Sequence, residues 1–211
     1  MKPPAGYDTA RTYPLVVALH GYGGTAGGFA PSFAPFAAAS FFVAIPEAQY
    51  ATPNGGFSWF HLAADRTRWE QDDTLSVRAV VALVDALRAR HHIGDVYLLG
   101  FSQGVSLAYM TGFRNPALIE GIAAISGFLP DIDTVGAIVH AADVDSARTV
   151  RVFVARGTSD ALISHQEFLA QTDLFTAHGY DLTSYEFDGG HFLEDVVMRR
   201  ALQWLRTGAR R

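Results

Sequence analysis

Short apolar runs alternate along the chain with longer segments in which apolar residues recur at helical spacing. The runs are rich in Val, Ile, Leu and Phe and are nearly continuous, a pattern typical of strands that are buried on both faces of a sheet. They lie at 15–19, 41–45, 96–99, 121–125, 150–155 and 182–187. The pattern therefore predicts about six strands.

The segments between these runs carry the signals of amphipathic helices. The clearest is 72–90, where Leu75, Val80, Val84 and Leu87 are expected on one buried face. A capping box at 164–167 predicts a helix to about residue 178, and further helices are expected at 105–113 and 193–206.

Strict alternation of strand and helix favours an α/β fold, with one open and mostly parallel sheet flanked by helices on both faces. The connections 47–68 and 128–149 are too long to be simple turns, and both follow strands. They are expected at the carboxyl edge of the sheet, where such folds bind ligands. Neither is long enough for a separate lid domain, so residues 1–211 are predicted to form a single domain.

Composition narrows the classes of function. The chain of 211 residues is 49% hydrophobic, carries a formal charge of −5 and has no cysteine. Disulfides and thiolate catalysis are thereby excluded, and no block of basic residues suggests nucleic acid as a partner. A neutral or weakly charged small molecule is the expected partner.

No segment is apolar for long enough to span a bilayer, and the first residues lack the apolar core of a leader peptide. A soluble, cytoplasmic protein is expected, although a leader removed before residue 1 would leave no trace. A homodimer remains open from sequence.

A serine is placed where a predicted strand turns into a predicted helix. The segment 100–104 reads Gly-Phe-Ser-Gln-Gly, with Ser102 at its centre. A nucleophile is held at such a strand-to-helix turn in many hydrolases, and the glycines avoid collisions with neighbouring backbone. The spacing alone is common by chance, so its position after a strand carries the prediction.

Two later strands end in residues that could activate this serine. A serine hydroxyl needs a base to take its proton and an acid to orient that base. Asp160 follows the run 150–155 and His191 follows the run 182–187. The order Ser, Asp, His is that of the α/β-hydrolase fold, and no cofactor is needed for this chemistry.

Two backbone N–H groups are expected to form an oxyanion hole. One belongs to Gln103, which directly follows the serine, and the other is assigned to Tyr22 in the glycine-rich turn 20–24 after the first strand.

These motifs resemble the serine carboxylesterases of the α/β-hydrolase superfamily. Segments 14–21 and 100–104 are similar to two groups, the phospholipase/carboxylesterase group with its acyl-protein thioesterases and the feruloyl-esterase and polyhydroxybutyrate-depolymerase-like group. Segment 58–60, Ser-Trp-Phe, resembles the thioesterase group. The resemblance covers nearly the whole chain and implies ester hydrolysis, but segment 3–8 resembles a link that normally follows one or two leading strands. A reduced sheet is therefore expected.

Other residues compete for the catalytic roles. Asp131 and Asp133 lie in a long loop that follows a strand, and Asp188 lies close to His191 in sequence. Asp188 is expected to shape its turn.

Two further histidines, His165 and His178, fall in a predicted helix and are expected to be solvated. His20 is expected to support the oxyanion loop, and His61 either lines a pocket or lies at the surface.

Aromatic residues predict a wall for the substrate. Phe57, Trp59, Phe60 and Trp69 could form it, or could anchor the long loop on the sheet. Trp59 is expected to reach the substrate. Leu162 and Phe192, beside the predicted acid and base, either complete the pocket or pack locally.

A dinucleotide-binding oxidoreductase is the remote alternative. Segment 21–26 satisfies G-x-G-x-x-A, and Glu47 lies roughly twenty residues further on. The helix that should follow would contain Pro31 and Pro35, each of which costs about 3 kcal/mol in a helix interior. A metal site is not expected, because no H-x-x-x-H or clustered carboxylate pattern is found.

Overall fold

The structure is a computed structural model, and it describes residues 1–61 and 68–208. Within these residues six strands form the main sheet: β1 Tyr13–Leu19, β2 Phe42–Ala44, β5 Ile93–Phe101, β6 Gly121–Ile125, β7 Arg151–Gly157 and β8 Leu182–Phe187. Two short strands, β3 Tyr50–Ala51 and β4 Phe57–Ser58, form a separate antiparallel pair.

The main sheet is entirely parallel and has the order β2-β1-β5-β6-β7-β8. The predicted six-stranded α/β architecture is confirmed. All six strands point the same way, so the loops that follow β1, β5, β6, β7 and β8 emerge at one edge. Ser102, Asp160 and His191 lie in the loops that follow β5, β7 and β8.

Seven α-helices are found in the described residues: α1 Ala26–Phe29, α2 Ala34–Ala38, α3 Trp69–Arg88, α4 Gln103–Arg114, α5 Ala141–Ser146, α6 His165–Ala177 and α7 Asp195–Gly208. The capping box at the start of α6 is present, with Ser164 and Glu167 each accepting from the other's backbone N–H.

Each face of the sheet has its own apolar layer, and β1 contributes to both. Leu15, Val17 and Leu19 point into the layer that contains α3, α4 and α6, whereas Val16 and Ala18 point into the layer that contains α7. A parallel strand that is covered on both sides needs apolar residues at every position, which explains the unbroken apolar runs in the sequence.

One helical face differs from the prediction. Leu75 is 54% exposed, whereas Val77 is buried together with Val80 and Val84. Helix α3 begins at Trp69 rather than near residue 72, and its buried stripe is set by the contact with the sheet. The prediction for Leu75 is therefore wrong, because several apolar residues in this helix permit more than one stripe.

The outer margin of β2 is covered by the N-terminal segment. The Lys2 N–H donates to the Val43 carbonyl at 2.7 Å, and the Val43 N–H donates to the Lys2 carbonyl at 3.0 Å. An unpaired strand edge is a template for association with another chain, and this pairing removes part of it.

The two long connections contain small elements of their own. The first holds the β3–β4 pair, with its residues 62–67 outside the described part, and the second holds α5. Neither adds a second domain within residues 1–61 and 68–208, in agreement with the predicted absence of a lid domain.

The turn after β1 does not lead into a dinucleotide-binding helix. Helix α1 ends after four residues, a 3₁₀ turn with Pro31 in its first turn follows, and α2 begins with Pro35 in its own first turn. The Glu47 carboxylate accepts from the Ala26 N–H at 2.6 Å, so an acidic side chain occupies the place that a pyrophosphate would need. The remote dinucleotide alternative is therefore wrong.

No helix in the described residues is both long and apolar enough to cross a membrane.

The packing of α4 gives a prediction for stability. Phe113 is fully buried, stacks on Tyr109 at a centroid distance of 5.6 Å and also contacts Phe175. Phe113→Ala should lower the free energy of unfolding by about 3–5 kcal/mol, because it leaves a cavity in a packed layer. The exposed Leu75→Ala is the control and should change it by less than about 0.5 kcal/mol. Equal losses in urea unfolding of both variants would contradict this packing.

Candidate active site

The turn at Ser102 has an unusual backbone conformation. Ser102 lies between β5 and α4 with φ 52° and ψ −121°, a region that side-chain-bearing residues rarely occupy. Its N–H donates to the Ile125 carbonyl at the end of β6, at 3.1 Å, which ties the turn to the neighbouring strand. The serine hydroxyl is thereby presented at the carboxyl edge of the sheet.

The two glycines of the motif are required by close backbone contacts. A Cβ on Gly100 would lie 2.5 Å from the Gly104 carbonyl oxygen, and a Cβ on Gly104 would lie 2.1 Å from the Leu19 carbonyl oxygen. Real Cβ atoms do not approach oxygen so closely, so no other residue fits without moving β1 or α4. The predicted mechanical reason for both glycines is confirmed.

The structure brings Ser102, His191 and Asp160 into hydrogen-bond contact. The Ser102 Oγ lies 3.0 Å from His191 Nε2, and His191 Nδ1 lies 3.0 and 2.9 Å from the two carboxylate oxygens of Asp160. Because the carboxylate can only accept, Nδ1 carries the hydrogen and Nε2 is left to accept from the serine hydroxyl. This is the arrangement in which a histidine can remove the serine proton.

Asp160 is held as an ionised carboxylate. Its side chain is fully buried, and its Oδ1 accepts from the N–H groups of Leu162 and Ile163, each at 2.9 Å. Burial alone would raise the pKa of Asp160, but the hydrogen bonds from Ile163, His191 and Leu162 outweigh it and the pKa is lowered. The charge therefore persists where it can stabilise an imidazolium.

The loops that carry the acid and the base are joined backbone to backbone. The Ser159 N–H donates to the Gly189 carbonyl at 2.9 Å, and the Thr158 N–H donates to the Phe187 carbonyl at 2.8 Å. Gly157 makes this approach possible, since a Cβ there would lie 2.3 Å from the Gly189 oxygen. The spacing between Asp160 and His191 is thus fixed by the main chain.

The two N–H groups assigned to the oxyanion hole remain available. Neither the Tyr22 nor the Gln103 amide donates to any other group within the described part of the chain. Gly21 lets the first loop lie directly beside Ser102, because a Cβ on it would lie 3.1 Å from the Ser102 Cβ. The loop is held by β4, where the Gly23 N–H donates to the Phe57 carbonyl at 2.9 Å.

Trp59 connects the loop after β1 to the start of α4 through two hydrogen bonds. Its indole N–H donates to the His20 carbonyl at 2.8 Å, and its backbone N–H donates to the Gln103 side-chain oxygen at 3.2 Å. His20 supports the same loop, with Nδ1 2.8 Å from the Gly21 carbonyl oxygen and Nε2 accepting from the Ala48 N–H at 3.2 Å. Burial lowers the pKa of His20 and keeps it neutral in this supporting role.

The competing acids and bases lie elsewhere. Asp133 is paired with His140 at 3.0 Å, and Asp188 is exposed. The other two competing histidines, His165 and His178, are paired with Glu186 and Asp145 respectively. Asp131 lines a cavity described below. In the described residues, Asp160 is the only carboxylate that contacts His191.

The sequence matches a known family over almost its whole length. The family described as Phospholipase/Carboxylesterase matches residues 8–208. The chain belongs to this family. Both activities in the family's description are hydrolyses of ester bonds, and the predicted resemblance to α/β-hydrolase carboxylesterases is confirmed.

Individual relatives differ in how much of this chain they match. A probable inactive carboxylesterase of Oryza sativa subsp. japonica is 31% identical over 90% of this chain and 83% of its own length. The acyl-protein thioesterase 1 of Mycosarcoma maydis is 33% identical, but only over 32% of this chain, and the match spans 26% of the relative's length.

Solved structures agree with the carboxylesterase fold. The carboxylesterase of Bacillus cereus superposes with a TM-score of 0.77 at 19% identity, covering 99% of this chain and 92% of its own. At this identity the likeness concerns the fold alone.

A cavity of about 350 Å³ lies between the start of α3, helix α4 and the loop that follows β6. We call it the aromatic cavity, because Phe60, Trp69 and Phe128 form much of its wall. Ser106 also lines it, one helical turn or about 6 Å along α4 from Ser102, and the Ser106 hydroxyl donates to the Phe128 carbonyl at 3.0 Å. The wall of the cavity therefore comes within about one helical turn of Ser102.

The residues predicted to bind substrate lie in different places. Trp59 is only 2% exposed, so the prediction that it reaches substrate is wrong: its ring is committed to the contacts beneath the site. Phe57 is half-buried at β4. Leu162 and Phe192 are 69% and 68% exposed at the rim, outside the lining of the aromatic cavity. The role of these last three stays a prediction.

Sequence reasoning missed several residues of the cavity wall. Met110 and Ser106 follow Ser102 at helical spacing on α4, a signal that could have found them. No sequence pattern links Phe128 or Asp73 to Ser102. Phe128 lies in the long loop after β6 and Asp73 near the start of α3, and the two meet at the cavity only in the folded chain.

Asp73 has a strongly altered acidity. Burial, together with the neighbouring carboxylates of Asp72 and Asp131, raises the pKa of Asp73 to about 7. The side chain therefore stays protonated in the folded protein up to near neutral pH.

This acidity predicts a pH-dependent contribution to stability. The folded state keeps the Asp73 proton up to about pH 7, whereas the unfolded chain loses it near 3.8, so stability should fall as pH rises between these values. Asp73→Asn should remove this fall, which makes the variant gain up to about 4 kcal/mol relative to the native protein between pH 4 and pH 8. Urea unfolding at both pH values measures it.

The exposed Asp85→Asn on the same helix is the control and should keep the pH dependence of the native protein. The same pH dependence in native protein and Asp73→Asn would contradict the raised pKa.

Proposed function

We propose that this protein is a serine carboxylesterase that hydrolyses short- to medium-chain carboxylic esters through an acyl-enzyme intermediate. The single observation that carries the proposal is the continuous hydrogen-bonded path from the Ser102 hydroxyl through His191 to Asp160. Membership of the phospholipase/carboxylesterase family supports the same reaction.

In the first half of the reaction the Ser102 Oγ attacks the ester carbonyl carbon while His191 Nε2 takes its proton. Negative charge develops on the carbonyl oxygen and is stabilised by the Tyr22 and Gln103 N–H groups. His191 then gives its proton to the leaving alcohol, the ester C–O bond breaks, and an acyl-serine remains.

In the second half water attacks the acyl-serine, and His191 takes a proton from the water. Collapse of the second tetrahedral intermediate releases the acid and returns that proton to Ser102. Throughout, Asp160 holds the imidazole in one orientation and compensates its positive charge.

The probable inactive rice relative raises the question of activity in this chain. The intact contacts among Ser102, His191 and Asp160 favour activity, as does the availability of both oxyanion amides in the described residues. A binding protein that had lost its chemistry would not need the strained backbone at Ser102.

The size of the aromatic cavity supports small acyl or alcohol groups. About 350 Å³ is near the lower end of the range for ligand pockets, roughly 300–1,000 Å³. The absence of a lid domain in the described residues leaves the site open to dissolved esters.

A thioesterase or lysophospholipase of the same mechanism is the second candidate. It is favoured by the partial similarity to acyl-protein thioesterase 1, and the same triad would cleave a thioester. A chain-length series of matched oxyesters and thioesters separates the two. Faster turnover of long-chain thioesters than of short oxyesters would favour the second candidate.

The nucleophile is tested by Ser102→Ala. This change should abolish hydrolysis of p-nitrophenyl acetate and labelling by a fluorophosphonate, because the attacking oxygen is gone. Circular dichroism controls for folding. Ser159→Ala, at an exposed serine in the acid loop, is the matched control and should be labelled like the native protein. Residual labelling of Ser102→Ala would reject the assignment.

The acid is tested by Asp160→Asn. An amide at this place can donate to His191 Nδ1 and so favours the wrong tautomer, which should lower kcat by about 10³–10⁴-fold. Asp133→Asn, in the loop after β6, should leave kcat near its native value. A mild effect of Asp160→Asn would remove Asp160 from the mechanism.

A further inference from the structure

A second Asp–His pair lies outside the triad, at the start of α3. Asp72 is 5% exposed as a residue, and its carboxylate Oδ1 accepts from the Tyr50 hydroxyl at 2.7 Å. Its Oδ2 accepts from the His61 backbone N–H at 3.0 Å and lies 2.8 Å from His61 Nδ1. Three separate donors therefore converge on one buried carboxylate.

These contacts fix the orientation and the tautomer of His61. Burial would raise the pKa of Asp72, but the hydrogen bonds from Tyr50 and His61 outweigh it and the pKa is lowered, so the carboxylate is ionised. An ionised carboxylate only accepts, so in the neutral imidazole Nδ1 carries the hydrogen and Nε2 keeps its lone pair. The ring also packs on Tyr50 at a centroid distance of 3.9 Å.

His61 belongs to the lining of the aromatic cavity. Its side chain is 38% exposed, and within residues 1–61 and 68–208 no group is bonded to Nε2. The proposed reaction does not use this histidine, since the base is His191. The imidazole, with its orientation fixed, thus lines the same aromatic cavity as Ser106, which follows Ser102 by about one helical turn.

We propose that His61 is a substrate-binding residue whose Nε2 accepts a hydrogen bond from a hydroxyaryl group of the ester seated in the aromatic cavity. This rests on the proposed function, since it takes the cavity to hold part of the ester. The rings of Phe60, Trp69 and Phe128 suit an aryl group, and the hydroxyl supplies the donor that Nε2 lacks.

The carboxyl groups in the lining argue for a neutral substituent. Asp131 lies in the wall, so an anionic group would meet a carboxylate there, and Asp73, which stays protonated up to near neutral pH, adds no positive charge to offset it. A purely apolar group would cover Nε2 without giving it a partner, which is unfavourable for a buried acceptor. A neutral hydroxyl avoids both costs.

The test compares two ester pairs that differ by one hydroxyl. Methyl 3-(4-hydroxyphenyl)propanoate and methyl 3-phenylpropanoate carry the ring on the acyl side, and 4-hydroxybenzyl acetate and benzyl acetate carry it on the alcohol side. The native protein should prefer the hydroxylated member of one pair by about tenfold in kcat/KM. In His61→Phe, which keeps an aromatic ring against Tyr50, that preference should fall to about one.

Two further variants separate binding from structure. His61→Gln places an amide oxygen near the position of Nε2 and should restore part of the preference. His178→Phe alters a histidine that is paired with Asp145 outside the cavity, and it should keep the full preference. Should His61→Phe fail to fold by circular dichroism, His61→Ala compared with His61→Gln gives the same contrast.

The outcomes distinguish this proposal from the proposed function. No preference in either pair, or an unchanged preference in His61→Phe, overturns the role of His61 while hydrolysis of p-nitrophenyl acetate still supports an esterase. Equal losses on both members of a pair likewise overturn it, since they indicate a structural role only.

Without any hydrolysis the proposed function fails. The role of His61 is then decided by calorimetric binding of the same esters to Ser102→Ala with and without His61→Phe. Tighter binding of a hydroxylated member that is lost in the double variant supports the role of His61. Equal or undetectable binding of all four esters overturns it.

Discussion

The close approach of backbones at the carboxyl edge of the sheet is the constraint on which the site depends. Ser102 has a φ of 52°, and Gly104 lets α4 begin directly after it against the Leu19 carbonyl. The same kind of contact recurs where Gly157 meets the Gly189 carbonyl, which sets the spacing of Asp160 and His191. Glycines thus allow the ends of β5, β7 and β8 to lie close together. The positions of the Ser102, Asp160 and His191 side chains are set by these main-chain contacts.

The sheet and the triad could be predicted because their signals are local. Each apolar run is short and continuous, and each triad residue follows directly after one. In a parallel sheet the ends of the strands lie at one edge, so sequence order already implies proximity. The rival acids could not be excluded in that way, since Asp133 also follows a strand. Only its pairing with His140 in the folded chain removes it.

The substrate side of the site was harder to predict because it depends on contacts between distant segments. Nothing in the sequence near Trp59 says that its indole N–H will meet the His20 carbonyl, which turns the ring inward. Phe128 likewise reaches the aromatic cavity only after the loop that follows β6 folds toward α3. Leu75 illustrates the same limit in a helix, where the sheet selects one of several possible apolar stripes.

The pairing of Lys2 with β2 also bears on how the sheet meets its surroundings. The edge strand β2 is paired in part with the N-terminal segment of the same chain. The opposite edge strand, β8, bears polar and charged side chains such as Thr183 and Glu186. Growth of the sheet by adding strands from another copy is therefore discouraged at both borders. Chains lacking Lys2 would leave the Val43 backbone groups at the β2 border unpaired and available to another strand, although Ser102, Asp160 and His191 would all still be present.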